Sequence, residues 1–189
     1  MKRLIFIAIA LALASSASAA PREFMQSGKI RADANAEHAA MLRLACSPEP
    51  NGGTLSIELI VPEAHTRKDF DYDDFEGPDA PASTKALSAL AWSTRTGTTT
   101  IEHAAAGWYL SDAFNFGINQ PTHQRKEPAR LLNAIRDEGG QLTWTQTAFD
   151  NAGHRLVARF DLDASAAQQL HVAVAECLPQ NMPMRKPRE

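Results

Sequence analysis

The chain has 189 residues, of which 44% are hydrophobic and 22% charged, with 19 Lys and Arg against 22 Asp and Glu for a formal net charge of −3. An acidic balance excludes the basic footprint that nucleic-acid binding requires. The length suits one domain large enough to bury a real core.

Residues 1–19 read as a secretory leader. Lys2 and Arg3 supply the positive start, Leu4 to Ala14 the apolar stretch, and Ala17-Ser18-Ala19 the small-residue cleavage site. The apolar stretch is short for a bilayer span, and a retained anchor is the alternative. No cysteine follows the cleavage site, so no lipoprotein signal is read, and no later segment is apolar enough to cross a membrane. Loss of Lys2 and Arg3 takes the net charge from −3 to −5. What remains is expected to be one exported domain over residues 20–178 and a proline-rich basic tail over residues 179–189.

Residues 20–38 are polar and alanine-rich without sustained period, a lead-in with room for one short strand. Met41 to Cys46 and Thr54 to Val61 alternate as strands, with Leu42, Leu44 and Cys46 on one face and Leu55, Ile57, Leu59 and Val61 facing inward. Ser47 to Gly53 between them is a loop by composition. Asp69 to Pro78 reads DFDYDDFEGP, in which Phe70 and Tyr72 alternate with Asp69, Asp71 and Asp73. An extended backbone there would carry one aromatic and one acidic face. Ala86 to Thr94 and Thr98 to Ala105 make a hairpin about Thr96-Gly97. Gly107 to Leu110 continues the apolar signal, and Ala113 to Ile118 is a further strand. Arg125 to Glu138 suits a helix, with Pro128 in its first turn, Leu131, Leu132 and Ile135 as its stripe and Gly139 to end it.

Gln141 to Cys177 is the most legible stretch. Leu142, Trp144 and Ala148 alternate in one strand, and Leu156, Ala158, Phe160 and Leu162 in the next. Asn151-Ala152-Gly153 suits a three-residue loop with Gly153 left-handed, setting Ala148 opposite Leu156 and Trp144 opposite Phe160. Asp163 can cap a helix whose buried side is Ala166, Leu170, Val174 and Cys177, and Pro179 stops it. The whole reads as an α+β domain, mainly antiparallel β and sandwich-like, with six or seven strands and two helices in the C-terminal half.

Two cysteines, Cys46 and Cys177, both fall in the exported part, and an even count in an oxidising compartment reads as one disulfide. Two buried free thiols are the alternative.

A strand ending in Cys46, then a helix leading to the Leu142 hairpin, is followed by Arg159-Phe160-Asp161-Leu162-Asp163 and a helix to Cys177. This layout resembles the small periplasmic proteins of the invasion-associated locus B type and the periplasmic accessory proteins of type VI secretion. Asp163-Ala164-Ser165 stands where that pattern has glycine. The resemblance implies a fold, a periplasmic or secreted location and a tendency toward binding or accessory roles, and no site.

Candidate chemistry is sparse. The histidines do not fall at zinc-ligand spacings, and the Asp69-x-Asp71-x-Asp73 run fails as an EF-hand because Asp74 and Ala80 stand where glycine and glutamate are required. No metal or cofactor is therefore expected, and a looser calcium site built from the loop carboxylates is the alternative. His103, Ser111, Asp112 and His123 supply the residue types of a hydrolase without a nucleophile elbow. Glu102 with a carboxylate of the Asp69 to Glu76 group is the glycosidase alternative. No catalytic residue is assigned. Gly107 to His123 gathers Trp108, Tyr109, Asn115 and His123 among further rings and amides, which suits a ligand or protein contact, or simply core and turn. Six carboxylates between Asp69 and Asp79 repel one another, so the cluster either faces a basic partner or keeps an edge strand solvated. Asp71, Asp73, Asp74, Trp108, Tyr109, Asn115 and His123 are thus the candidate partner-binding residues. The expected role is an envelope binding or accessory protein with a protein partner, for which a cationic one suits the charge. The alternatives are an inhibitor or immunity protein acting on a cationic or wall-degrading enzyme, and a small envelope hydrolase.

Overall fold

In the computed structural model the described residues are 22–33, 36–47, 53–121, 126–135 and 138–178. The leader, the tail, most of the loop after Ser47, and His123 lie outside them. The described residues form nine strands: β1 Arg22–Ala32, β2 His38–Ser47, β3 Thr54–Val61, β4 Ser88–Ser93, β5 Thr98–His103, β6 Ala106–Leu110, β7 Ala113–Pro121, β8 Gly140–Thr147 and β9 Arg155–Leu162. The helices are α1 Lys126–Ala134 and α2 Ala164–Val174.

All nine strands join one antiparallel sheet in the order β5-β4-β8-β9-β1-β2-β3-β7-β6. A flat sheet would hold its edge strands roughly 38 Å apart, eight strand spacings. Yet β5 and β6 are those edges, and only Ala104 and Ala105 connect them. Three Cα steps reach at most about 11 Å. The sheet must therefore curl into a half-barrel. The sheet-on-sheet packing expected from the sequence takes the form of one sheet folded toward itself. His103 sits at the closing corner, where its Nδ1 meets the Ala104 carbonyl at 2.6 Å and its Nε2 meets the Gln120 amide at 2.9 Å.

Alternation decides which side chains fill the concave side. Leu42, Leu44, Leu55, Ile57, Leu59, Phe114, Phe116, Trp144 and Phe160 are all buried there. Helix α2 covers β1 and β2, and α1 covers β5 and β4. Asp163 caps α2 by accepting from the Ala166 amide at 2.8 Å, as its position predicts. Cys46 and Cys177 form the expected disulfide, with Cα atoms 5.7 Å apart. No helix among the described residues is long and apolar enough to cross a membrane.

Two expectations need correction. The lead-in is the eleven-residue β1 at the middle of the sheet, paired with both β2 and β9. Its inward face reads Phe24, Gln26, Gly28, Ile30, and Gly28 breaks the apolar alternation because the Phe160 ring occupies the space of its missing side chain. The β8–β9 hairpin keeps its shared face but not its register. Trp144 pairs with Ala158 and Leu142 with Phe160. Ala148 bonds instead to the His154 carbonyl (3.0 Å), so the loop runs from Phe149 to Gly153. Asn151 accounts for the difference, since its side chain accepts from the Gly153 amide at 3.0 Å and closes a longer turn.

Gly153 is accordingly not left-handed, whereas Gly77 is, at φ 87°. A Cβ at Gly77 would meet nothing within 4 Å, so strain alone sets its cost. Gly77→Ala is expected to lower stability by about 1 kcal/mol, and Gly153→Ala to stay within about 0.5 kcal/mol of the parent. Urea unfolding of both variants checks the assignment, and the reverse order would contradict it.

Candidate binding cleft

The segment between β3 and β4 builds a cleft together with strand β6 and the β8–β9 hairpin. Glu63 turns the chain left-handed at φ 56°, and the Ala64 amide donates to the Asp112 carbonyl at 2.9 Å, tying this segment to the β6–β7 turn. That turn is made by Ser111, also left-handed at φ 56°. Backbone forced into this region by non-glycine residues costs energy, which the surrounding bonds must offset.

From Phe70 to Asp73 the alternation expected from the sequence holds, but Asp69 is drawn in to Arg67 and Asp73–Phe75 tightens into a 3-10 turn instead of staying extended. Phe70 and Tyr72 turn inward and Phe75 follows, all three buried against Phe114 and Phe116 with ring centroids 5.2–6.1 Å apart. Phe70 also meets His154 of the β8–β9 hairpin edge-on at 5.7 Å. The segment thus bridges the mouth of the half-barrel from β7 to the hairpin. Asp71 and Asp73 face outward. Glu76 then bridges to Gly107 on the edge strand β6, and the Gly77 amide donates to the Gly107 carbonyl at 2.8 Å. The acidic segment therefore covers part of an otherwise unpaired edge, a role in keeping with edge protection.

Above this layer lies a cleft of about 790 Å³. Asp71, Asp73, Glu76 and Asp150 set carboxylates around it, with Lys68 among them. One wall is a flat pair, His65 stacked on Tyr109 with centroids 4.0 Å apart and planes 11° off parallel. The Tyr109 hydroxyl donates to Asp73 Oδ1 at 3.0 Å, and His65 Nε2 lies 3.2 Å from the Ser111 carbonyl oxygen. On the far side His154 Nε2 reaches the Asp69 carbonyl at 2.7 Å, with the Asp33 carboxylate at 3.3 Å.

Arg67 and Tyr72 also line the cleft, and both are nearly buried. Arg67 holds Asp69 with two parallel bonds, Nε to Oδ1 at 3.0 Å and Nη2 to Oδ2 at 2.6 Å. Burial works against the Arg67 charge, but the bond to Asp69 and neighbouring negative groups leave its pKa raised. Burial pushes the Tyr72 phenol far up, moderated by the Arg67 charge. Tyr109 is pushed up to about 12, first by burial and then by its bond to Asp73. Burial raises the Asp74 carboxyl as well, followed by repulsion from Asp71, Asp150 and Asp73.

These two are the only tyrosines in the chain, so alkaline titration reads them alone. Tyrosine ordinarily ionises near pH 10. Each folded-state value is raised, so the stability contributed is present below that pH and is lost as pH climbs toward the folded values. Tyrosinate absorbance should stay low around pH 10 and rise near pH 12, where Tyr109 ionises. A full two-tyrosine step centred at pH 10 in folded protein would contradict this placement.

Of the residues singled out in the sequence, Asp71, Asp73 and Tyr109 meet in the cleft. Asp74 lies half-buried beside it, its carbonyl accepting from the Ala82 amide at 3.1 Å. Trp108 and Asn115 form a cross-strand pair on the opposite face of the sheet, with the Trp108 ring over Gly117. His123 lies outside the described residues. Sequence reading missed Arg67, His65, Asp150 and His154. Arg67 two residues before Asp69 in an extended chain was a readable hint, because such residues share a side. Nothing local connects Asp150 or His154 to a segment some 80 residues earlier. Ser111 contributes only its carbonyl to His65, and both ring nitrogens of His103 are engaged at the barrel corner. Among the described residues no group of three or more His, Cys, Asp or Glu could hold a metal ion.

No family model matches the chain, and no curated protein matches it. Among solved structures, residues 117–326 of avian reovirus sigmaC align with it at 11% identity and a TM-score of 0.19. That alignment covers 77% of this chain and 64% of the viral one, and a likeness so loose carries no conclusion.

Proposed function

We propose that this is an exported binding or accessory protein of the cell envelope, without catalytic activity, whose cleft receives a cationic protein partner. One observation carries the reading. Asp71, Asp73, Glu76 and Asp150, from two segments distant in sequence, converge around one cleft with an aromatic wall. A chain normally disperses like charges, and these four carboxylates outnumber Lys68 and the Asp69-paired Arg67, so the field in the cleft favours a cation.

Two observations support the compartment in this reading. Residues 1–19 read as a secretory leader, and a buried disulfide belongs to an oxidising space such as the periplasm. The layout kinship with invasion-associated locus B and type VI accessory proteins belongs to this reading and stands as a proposal with it. The acidic rim also favours a narrower version, in which the partner is a cationic wall-degrading enzyme that the protein neutralises.

The test is capture on the immobilised protein, using an envelope extract and lysozyme as a cationic probe. Wild type should retain basic polypeptides at low salt, and Asp71→Asn/Asp73→Asn/Glu76→Gln should release them without a change in fold. Equal retention by both proteins would overturn the proposal.

A further inference from the structure

Two donors at the floor of the cleft are left over once its internal bonds are made. Arg67 uses Nε and Nη2 on Asp69, and its Nη1 has no acceptor. The Tyr72 hydroxyl has none either. The Arg67 side chain is 6% exposed and Tyr72 3%. Buried donors are normally paired, and an unpaired one is costly. Both side chains line the same cleft with the donor atoms just beneath its surface, so an oxygen acceptor brought by a ligand would reach them once the two side chains shift toward it.

The charges select the kind of acceptor. Asp69 already balances Arg67 at 2.6 Å, so the floor does not require an anion. Asp71, Asp73 and Glu76 above it would repel one. A neutral carbonyl oxygen meets the floor without that repulsion, provided its carrier also has a cation for the rim. We infer that the floor is a carbonyl subsite for a lysine- or arginine-bearing peptide segment, its main-chain oxygen accepting from Arg67 Nη1 and Tyr72 Oη while its side-chain cation meets Asp71 and Asp73. The His65–Tyr109 pair gives such a segment a flat wall. This deepens the proposed binding role and rests on it.

The test is an NMR titration of the purified protein with three probes: acetyl-Gly-Lys-Gly-amide, acetyl-Gly-Glu-Gly-amide and n-butylammonium. The lysine peptide should shift resonances of the cleft in the millimolar range, and the other two should bind at least about tenfold more weakly, since each lacks one of the two anchors. Tyr72→Phe removes only a hydroxyl with no partner, so its melting temperature should hold or rise while the lysine peptide binds about five- to tenfold more weakly. Equal peptide binding by wild type and Tyr72→Phe would overturn the subsite, as would equal binding of the glutamate peptide or no shift with the lysine peptide. If the subsite falls while rim-dependent capture of basic proteins persists, the binding role stands without it.

Discussion

Replacing Cys46 and Cys177 together by alanine is expected to lower stability by about 5 kcal/mol. The bond joins the end of β2 to the turn that follows α2, closing a loop with a sequence separation of 131. Cross-linking so distant a pair removes much of the freedom of the unfolded chain, and the chain-entropy model gives about 5 kcal/mol for a loop of this length. Both residues are fully buried, so the double variant also loses the packing of the two sulfur atoms. In thermal unfolding the loss corresponds to a drop of roughly 10–20 °C for a domain of this size. Denaturant unfolding of the oxidised parent and the double variant measures it. A difference under about 1 kcal/mol would show that the unfolded chain is held together by something other than this bond.

The second large effect is at Phe160. Its ring is fully buried and lies against the Cα of Gly28 in the neighbouring strand β1. Phe160→Ala deletes the ring and leaves a cavity that two hydrogen-bonded strands cannot collapse to fill, a change that costs about 4 kcal/mol. Gly28→Ala should also destabilise strongly, because a Cβ there would overlap both the Phe160 ring and the Arg159 carbonyl oxygen. The two changes should not add. In the Phe160→Ala background the ring overlap is gone while the carbonyl overlap remains, so Gly28→Ala should cost less there than in the parent. Strict additivity in a double-mutant cycle would mean that the ring and the glycine are not neighbours.

That same contact shows why part of the fold was hidden in the sequence. The β8 and β9 strands, the Asp163 cap and the disulfide were legible because each rests on local spacing or on a pair of rare residues. Strand β1 was not, since Gly28 contributes nothing to an apolar pattern and its partner Phe160 lies more than a hundred residues away. The hairpin register was missed because Asn151, not Gly153, closes the turn. The curl of the sheet could not be read at all. It follows from β5 and β6 being opposite edges joined by two residues, a fact of strand order.

The cleft divides in the same way. Inward Phe70 and Tyr72 and outward Asp71 and Asp73 came from period-two alternation and the structure keeps them, whereas Asp69 is drawn in to Arg67 and the chain leaves the extended form at Asp73–Phe75. Tyr109 was found as part of an aromatic segment, but its neighbours Trp108 and Asn115 face the other side of the sheet, as alternation along β6 and β7 requires. Arg67 and Tyr72 became meaningful only when their burial and their missing partners were visible.

The central claim is that the rim of this cleft attracts a cationic partner. It is tested most directly by the association rate of lysozyme, or of a captured envelope partner, with the wild-type protein and with Asp71→Asn/Asp73→Asn/Glu76→Gln across a range of ionic strength. Charges at a rim act mainly by steering, so the wild-type rate should fall steeply with salt. The variant should start several-fold slower at low salt and converge on wild type at high salt. Rates that are the same for both proteins and indifferent to salt would contradict the claim. If the variant instead binds normally but aggregates, the carboxylates serve only to guard the edge at β6.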